Sequence, residues 1–277
     1  MKNRPIGVFD SGMGGLTVVR SMIDRMPDET ILYLGDDARW PYGPRDLDEV
    51  RGFARQIIDW LVSFDVKLVV VACNTATAAF LEGAQREYDI PLVGVILPGA
   101  RTAVGQSRSG RIGVIGTKGT IASGAYERAL KHFEEDVTVF STACPEFVEF
   151  VERGEVTGDH VSEVALSYID PMLDAGIDTL ILGCTHYPLL EPLLKEVVGP
   201  DVALISSAEE TAREVDEILD RLGWASNSGG SGAFRFMTTG DTDKYLALGR
   251  IFLGPEVRHA EKVSLEDGPP IERAPED

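Results

Sequence analysis

The chain is predicted to fold as α/β, in two pseudo-symmetric domains that each carry a mainly parallel sheet flanked by helices, with the site of action in the cleft between them. Three observations predict this. Short apolar runs alternate with amphipathic helical stretches along most of the 277 residues, the pattern of mainly parallel α/β proteins. The alternation then repeats itself about 106 to 111 residues further on. Finally, each copy closes one buried run with a cysteine, Cys73 and Cys184, themselves 111 residues apart.

The strand candidates, in order, are PIGVFD (5–10), ILYLGD (31–36), KLVVVAC (67–73), PLVGVI (91–96), RIGVIG (111–116), VTVFST (137–142), TLILGC (179–184), VALISS (202–207) and FRFMTTG (234–240). Ile6-Gly7-Val8 and Ile112-Gly113-Val114 open matching strands 106 residues apart, and Ile31 and Val137 open the second strands at the same shift. The next helix places Val50, Phe53, Ala54, Ile57, Ile58, Leu61 and Val62 on one face, and its counterpart places Val161, Val164, Ala165, Tyr168, Ile169, Met172 and Leu173, each shifted by 111. Both sets follow the i, i+3, i+4, i+7 stripe of an amphipathic helix. Leu92 and Ala203, in the strands that follow, keep the shift of 111. The two copies therefore cover about 5–97 and 111–207. Pro171 falls inside the second helix, where a kink or break is expected. Beyond 208, AEETAREVDEILDRLG (208–223) reads as an amphipathic helix and WASNSGGSGA (224–233) as a flexible linker or loop. The strand and helix that follow are expected to return to the first domain. The expected division is 1–97 plus 208–277 for the first domain and 98–207 for the second, with a polar, proline-containing tail, EDGPPIERAPED, expected to be disordered.

Bulk properties narrow the function. No run of eighteen apolar residues predicts a membrane span, and MKNRPIGVFDSG lacks the long apolar region of a secretory signal. The expected compartment is the cytoplasm. A net charge of −19 disfavours direct binding of nucleic acid or an anionic membrane. An anionic ligand would need local donors such as backbone N–H groups at helix N-termini. Three widely spaced cysteines and four scattered histidines give neither a disulfide framework nor a spacing-based zinc motif, so no metal is expected.

Ligands of open α/β sheets collect at the carboxyl ends of the strands. Cys73 stands there before Asn74-Thr75, and Cys184 before Thr185-His186. Singly, each cysteine reads as a small buried hydrophobe. As a pair at equivalent positions they point to chemistry. Helix starts are expected within two or three residues, with Thr75 and Thr185 as suitable N-cap types, and a thiol near such a start is biased towards thiolate. Two opposed thiols suit either a redox dithiol or a proton transfer in which one sulfur takes a proton from carbon and the other delivers one to the opposite face. The second needs no cofactor and would invert a stereocentre. Asp10, Ser11 and the glycines of DSGMGG form a turn with open N–H groups, but the spacing is not that of a dinucleotide or P-loop motif. Pro41, Tyr42 and Gly43 lie in a loop after the second strand, a common position for binding residues. His186, next but one to Cys184, could polarise that thiol.

Taken together, IGVFDSGMGGLTV, PYG, ACNTAT, ACP-x-FV-x-x-VE-x-G (143–154) and LGCTHYPLL resemble the glutamate racemase branch of the aspartate/glutamate racemases over residues 5–240, with every motif in order. The resemblance implies a cofactor-independent isomerase that interconverts L- and D-glutamate and supplies D-glutamate for peptidoglycan. By the same resemblance, Cys73 takes the α-proton from D-glutamate and Cys184 from L-glutamate. Asp10 and His186 assist the neighbouring thiols, and Glu152 joins His186. Asp10-Ser11, Pro41, Tyr42-Gly43, Asn74-Thr75 and Thr185-His186 hold the substrate, with Thr117 and Thr120 in the turn after RIGVIG. A homodimer is expected, and some relatives have been linked to DNA gyrase, which these residues do not address. Glu146 and Glu149 stand where apolar or proline residues are expected, and Leu97 replaces an acid before Pro98-Gly99. Aspartate racemases share the paired cysteines, so substrate length is the softer implication. A two-lobed binding protein would explain the duplication without the cysteines. A thiol–disulfide oxidoreductase would explain the cysteines without the Asn-Thr and Thr-His that follow them.

Overall fold

The computed structural model describes residues 1–227, 229 and 232–266. The first unit runs β1 (Ile6–Asp10), α1 (Leu16–Arg25), β2 (Ile31–Gly35), α2 (Leu47–Val62), β3 (Leu68–Val71), α3 (Asn74–Ala84) and β4 (Leu92–Gly94). Helix α4 (Ile96–Gln106) leads to the second: β5 (Arg111–Gly116), α5 (Lys118–Ala122), α6 (Ala125–Phe133), β6 (Thr138–Ala143), α7 (Pro145–Glu152), α8 (Asp159–Asp174), β7 (Thr179–Gly183), a 3₁₀ turn at Tyr187–Leu190, α9 (Glu191–Val198) and β8 (Ala203–Ser206). The chain ends with α10 (Ser207–Leu222), β9 (Phe234–Thr238), α11 (Thr242–Phe252) and β10 (Glu261–Lys262).

Every strand pairing is parallel. The sheets have the orders β10-β9-β2-β1-β3-β4 and β6-β5-β7-β8. The segment β2-β1-β3-β4 thus repeats as β6-β5-β7-β8, and the returning strands β9 and β10 extend the first sheet beyond β2. Strands β1, β2, β3 and β7 are buried along their whole length, which is why they read as unbroken apolar runs rather than alternations. The helical stripe repeats as well. In α2 the buried set includes Val50, Ala54, Ile58 and Leu61, and in α8 it is Val161, Ala165, Ile169 and Met172. Asp46 starts α2 by accepting the Asp48 N–H, with Asp48 and Glu49 in its first turn.

The register corrects details of the repeat. Ile6 pairs with Ile31 as Ile112 pairs with Val139, so the partner of Ile31 in the repeat is Val139, two residues past Val137. Val69 pairs with Leu92 as Leu180 pairs with Leu204, so Leu204 rather than Ala203 matches Leu92. The run PLVGVI is only partly strand: β4 stops at Gly94 and Ile96 already opens α4, which crosses the expected boundary at 97–98. Pro171 does not break α8, because only its last turn remains, and the Ala175 N–H reaches the Pro171 carbonyl at 3.2 Å. The described part of 224–233 is tied down rather than free: the Ser226 N–H donates to Glu29 at 2.8 Å and the Gly232 N–H to the Pro27 carbonyl at 3.2 Å. The expected disorder of the tail from 267 onward lies outside the described residues.

The residues just before β3 and β7 occupy equivalent places with opposite chemistry. Lys67 is fully buried, paired with Glu29, and donates to the carbonyls of Lys2 at 3.1 Å and Trp224 at 3.0 Å. Its counterpart Asp178 accepts from the Ser107 hydroxyl and the Arg108 and Ser109 N–H groups, each at 2.7 Å. Burial acts to raise the Asp178 pKa, but these hydrogen bonds outweigh it and hold the carboxyl below its usual range. Among the described residues no helix is long and apolar enough to cross a membrane.

Candidate active site

The carboxyl ends of β1, β3, β5 and β7 converge on a cavity of about 270 Å³. Both Cys73 and Cys184 line it, one from each sheet. Of the other residues singled out in the sequence, Ser11, Pro41, Tyr42, Gly43, Asn74, Thr75, Thr117, Thr185 and His186 also line it, whereas Asp10, Thr120 and Glu152 stand behind that wall.

Cys73 lies two residues past β3 and is the N-cap of α3, its sulfur accepting the Ala76 N–H at 3.4 Å. Thr75 is therefore inside the helix rather than its cap. Ser11 Oγ lies 3.8 Å from the same sulfur. Asp10 is completely buried, and its Oδ2 accepts the N–H groups of Gly15 at 3.0 Å and Gly12 at 3.4 Å, while Oδ1 has no hydrogen-bond partner among the described residues. Burial, then the Asp10 carboxylate, push the Cys73 thiol far above its ordinary pKa. Asn74 is oriented from the other unit: Tyr126 on α6 donates to its Oδ1 at 2.8 Å, leaving the buried Nδ2 without a partner among the described residues.

Cys184 is flanked differently. Its sulfur lies 4.0 Å from His186 Nδ1, and His186 Nε2 lies 3.3 Å from Glu152 Oε1. Burial pulls the histidine pKa down, but its bonds to Cys184 and Glu152 prevail and lift it to about 10. An imidazolium therefore stands beside this sulfur at neutral pH. No α-helix starts at Thr185; a 3₁₀ turn follows from Tyr187, and the Thr185 carbonyl instead accepts the Thr17 hydroxyl at 3.2 Å. The first unit presses this close through Gly14, where any Cβ would overlap Thr185 and His186.

Three hydroxyls join the two units at the cavity. Thr75 Oγ1 lies 2.9 Å from Thr117 Oγ1 and 3.3 Å from Thr120 Oγ1, and Thr117 lies 3.0 Å from Thr120. The Thr75 hydroxyl, inside α3 rather than at its cap, is thus engaged by the other unit. Thr117 caps the short α5 through the Thr120 N–H. The Gly119 N–H donates to the Gly43 carbonyl at 2.8 Å, and a Cβ at Gly43 would stand 2.9 Å from Thr117 Cβ. Tyr42 is held from beneath by the buried Asp36, which also binds Arg39 at 2.6 Å and the Thr239 hydroxyl at 2.9 Å.

Sequence reasoning missed five residues of the wall, Trp40, Pro44, Lys118, Pro145 and Val148, whereas Glu149, which stands out in the sequence as a departure from the motif, also lines it. Trp40 and Pro44 adjoin the PYG motif and could have been included as its flanks. Pro145 and Val148 belong to the ACP-x-FV segment, whose proline marks the start of α7. Among the described residues no group of three or more His, Cys, Asp or Glu is placed to hold a metal ion.

This arrangement can hold a small zwitterion between two thiols that meet opposite local charges. Comparison with known proteins agrees with that scale of ligand. Residues 6–215 match the family model described as Asp/Glu/hydantoin racemase. A glutamate racemase from Parafrankia is 50% identical, the alignment covering 93% of each chain. A glutamate racemase isoform from Bacillus anthracis superposes with a TM-score of 0.92 at 45% identity, covering 96% of this chain and 99% of its own. A glutamate racemase from Francisella tularensis, solved in complex with D-glutamate, gives 0.90 at 35% identity over 96% and 100%.

Proposed function

The chain belongs to the Asp/Glu/hydantoin racemase family, and from that premise we propose that it interconverts L- and D-glutamate by proton transfer between Cys73 and Cys184. The observation that carries this reading is the presence of both thiols, from matching strand ends of a duplicated unit, on one cavity wall. The names of the relatives and the D-glutamate held by the Francisella tularensis enzyme support glutamate as the substrate.

In the L-to-D direction the Cys184 thiolate takes the α-proton; the C–H bond breaks and its electron pair passes to the α-carbon and the adjoining carboxylate. Cys73 then gives its S–H proton to the opposite face, leaving a Cys73 thiolate and a Cys184 thiol. The reverse reaction starts from that state. His186, held by Glu152, supplies the counter-charge for the sulfur that begins as thiolate. Asp10 keeps Cys73 protonated until the carbanion forms. Ser11, Pro41, Tyr42, Gly43, Asn74, Thr75, Thr117, Thr120, Thr185 and His186 hold and shape the substrate, with the free Asn74 Nδ2 as a donor for carboxylate oxygen. The chain works in the cytoplasm as a homodimer, needs no cofactor, and supplies D-glutamate for peptidoglycan. Its lobes, 1–97 with 208–277 and 98–207, close around the substrate.

The test is L-glutamate in D2O without added cofactor, followed by chiral chromatography and mass spectrometry. D-Glutamate carrying one α-deuterium is expected to accumulate to an equal mixture. Loss of neither optical activity nor the α-proton, from either enantiomer, would refute racemisation.

A further inference from the structure

The cavity wall carries two full charges besides the imidazolium of His186: Lys118 on α5 and Glu149 on α7. Both are exposed. Lys118 makes no ion pair or side-chain hydrogen bond with any described residue, although the protein has 45 acidic residues against 26 basic ones. It adjoins Thr117 and hence the three-hydroxyl cluster. The Glu149 carboxylate is only loosely balanced, with Arg153 one turn on at 3.6 Å. Some other acids on this surface have much closer partners, as in Arg51–Asp48 at 2.5 Å and Lys131–Glu127 at 2.7 Å. An unpaired lysine on a cavity wall of so acidic a protein is therefore a distinct feature.

We propose that Lys118 is the capture residue of this site for a net-anionic dicarboxylate, and that Glu149 opposes it, the two together setting KM and leaving the proton transfer untouched. The proposal rests on the racemase reading. A free glutamate carries a net charge of −1 and approaches a chain of net charge −19, so the distant field slows its arrival. A single cation without an ion-pair partner among the described residues, at the wall of a concave site, shifts the local potential towards positive where the substrate enters. Such capture acts over about one Debye length, ~10 Å at 0.1 M salt, and fades as salt is added. Neither side chain hydrogen-bonds to Cys73, Cys184, Asp10 or His186 among the described residues, so the chemical step keeps its own groups.

The experiment is steady-state racemisation of both enantiomers at about 20 mM and about 500 mM added salt, across the screening range. In low salt Lys118→Met is expected to raise KM about tenfold for L- and D-glutamate alike, with kcat held within about twofold. Glu149→Gln is expected to lower KM about threefold under the same conditions. Both differences shrink at high salt. Lys118→Arg restores the wild-type KM. Lys131→Met, which removes an equal charge outside the cavity, leaves KM unchanged. An unaltered KM in Lys118→Met, a loss confined to kcat, or a KM change that survives high salt overturns the proposal. Failure of the racemase reading is recognised separately, by absence of turnover in the wild type. In that event calorimetric binding of glutamate decides: weaker binding by Lys118→Met at low salt supports capture, and equal binding overturns it.

Discussion

The two copies of the repeated unit share a backbone and differ in charge. Strand order, the α2 and α8 stripes and the placing of a cysteine past the third strand all recur. At both ends of that third strand, however, the side chains have taken opposite signs. Before β3 stands a buried ammonium, and before β7 a hydrogen-bonded carboxylate. Past β3 a thiol lies near the Asp10 carboxylate, and past β7 another lies near an imidazolium. Duplication supplies two sulfurs aimed from related directions. Divergence gives one of them an anionic neighbour and the other a cationic one, so that the two sulfurs stand in unlike electrostatic surroundings. A strictly symmetric pair would not.

The strongest way to break this comparison is to remove one sulfur at a time. Cys73→Ala and Cys184→Ala should each cut kcat/KM for racemisation by roughly 10³-fold or more. The loss must be equal in both directions, because enantiomers have equal free energies. Deuterium exchange separates the two variants: Cys73→Ala should still exchange the α-proton of L-glutamate through Cys184, and Cys184→Ala that of D-glutamate through Cys73. Exchange of the same enantiomer by both variants would break the assignment of faces.

Next in size is the buried ammonium. Lys67→Met strands Glu29, only 3% exposed, without its counter-charge, and should lower unfolding free energy by about 3–5 kcal/mol. Urea titration measures it, and the double variant with Glu29→Leu should recover much of the loss. A single-variant change below about 1 kcal/mol would mean that the pair is not anchored as described.

His186 sharpens the comparison through pH. Its pKa stands at about 10 against 6.5 for the unperturbed group. A raised histidine contributes stability that is complete below 6.5 and disappears as pH climbs through 10. The stability gap between wild type and His186→Gln should therefore be on the order of 2 kcal/mol at pH 6 and close towards pH 10. A gap that widens over that range has the sign wrong. The smallest effect belongs to the other strand foot: Asp178→Asn keeps the shape but weakens three accepted hydrogen bonds, costing about 1–2 kcal/mol, measurable by the same urea titration.

The features legible in the sequence are those carried by local patterns. The parallel α/β class followed from unbroken apolar runs between amphipathic helices, and the cysteines stood out because their shift equals that of the α2 and α8 stripes. Thr75 and Thr185 misled because a hydroxyl after a strand suits an N-cap equally well; the Thr75 hydroxyl is engaged by the opposite unit, and the Thr185 carbonyl accepts from Thr17 where no α-helix starts. The same holds for Tyr126, which orients Asn74 from 52 residues away with no local signal. Lys118 and Val148 face the cavity because of how α5 and α7 are packed, a matter of tertiary arrangement. PLVGVI failed for a different reason: a short apolar run does not separate strand from buried helix. Pro98 in the first turn of α4 was the available cue.

The ammonium of Lys67 has a practical consequence for handling the protein. It grips the carbonyl of Lys2 and that of Trp224 at once, so the start of the chain is a structural part rather than a spare handle. An affinity tag spliced ahead of Met1 leaves that carbonyl in place. Trimming the first few residues removes an acceptor from a fully buried cation, and the cost falls on the strand that leads to Cys73.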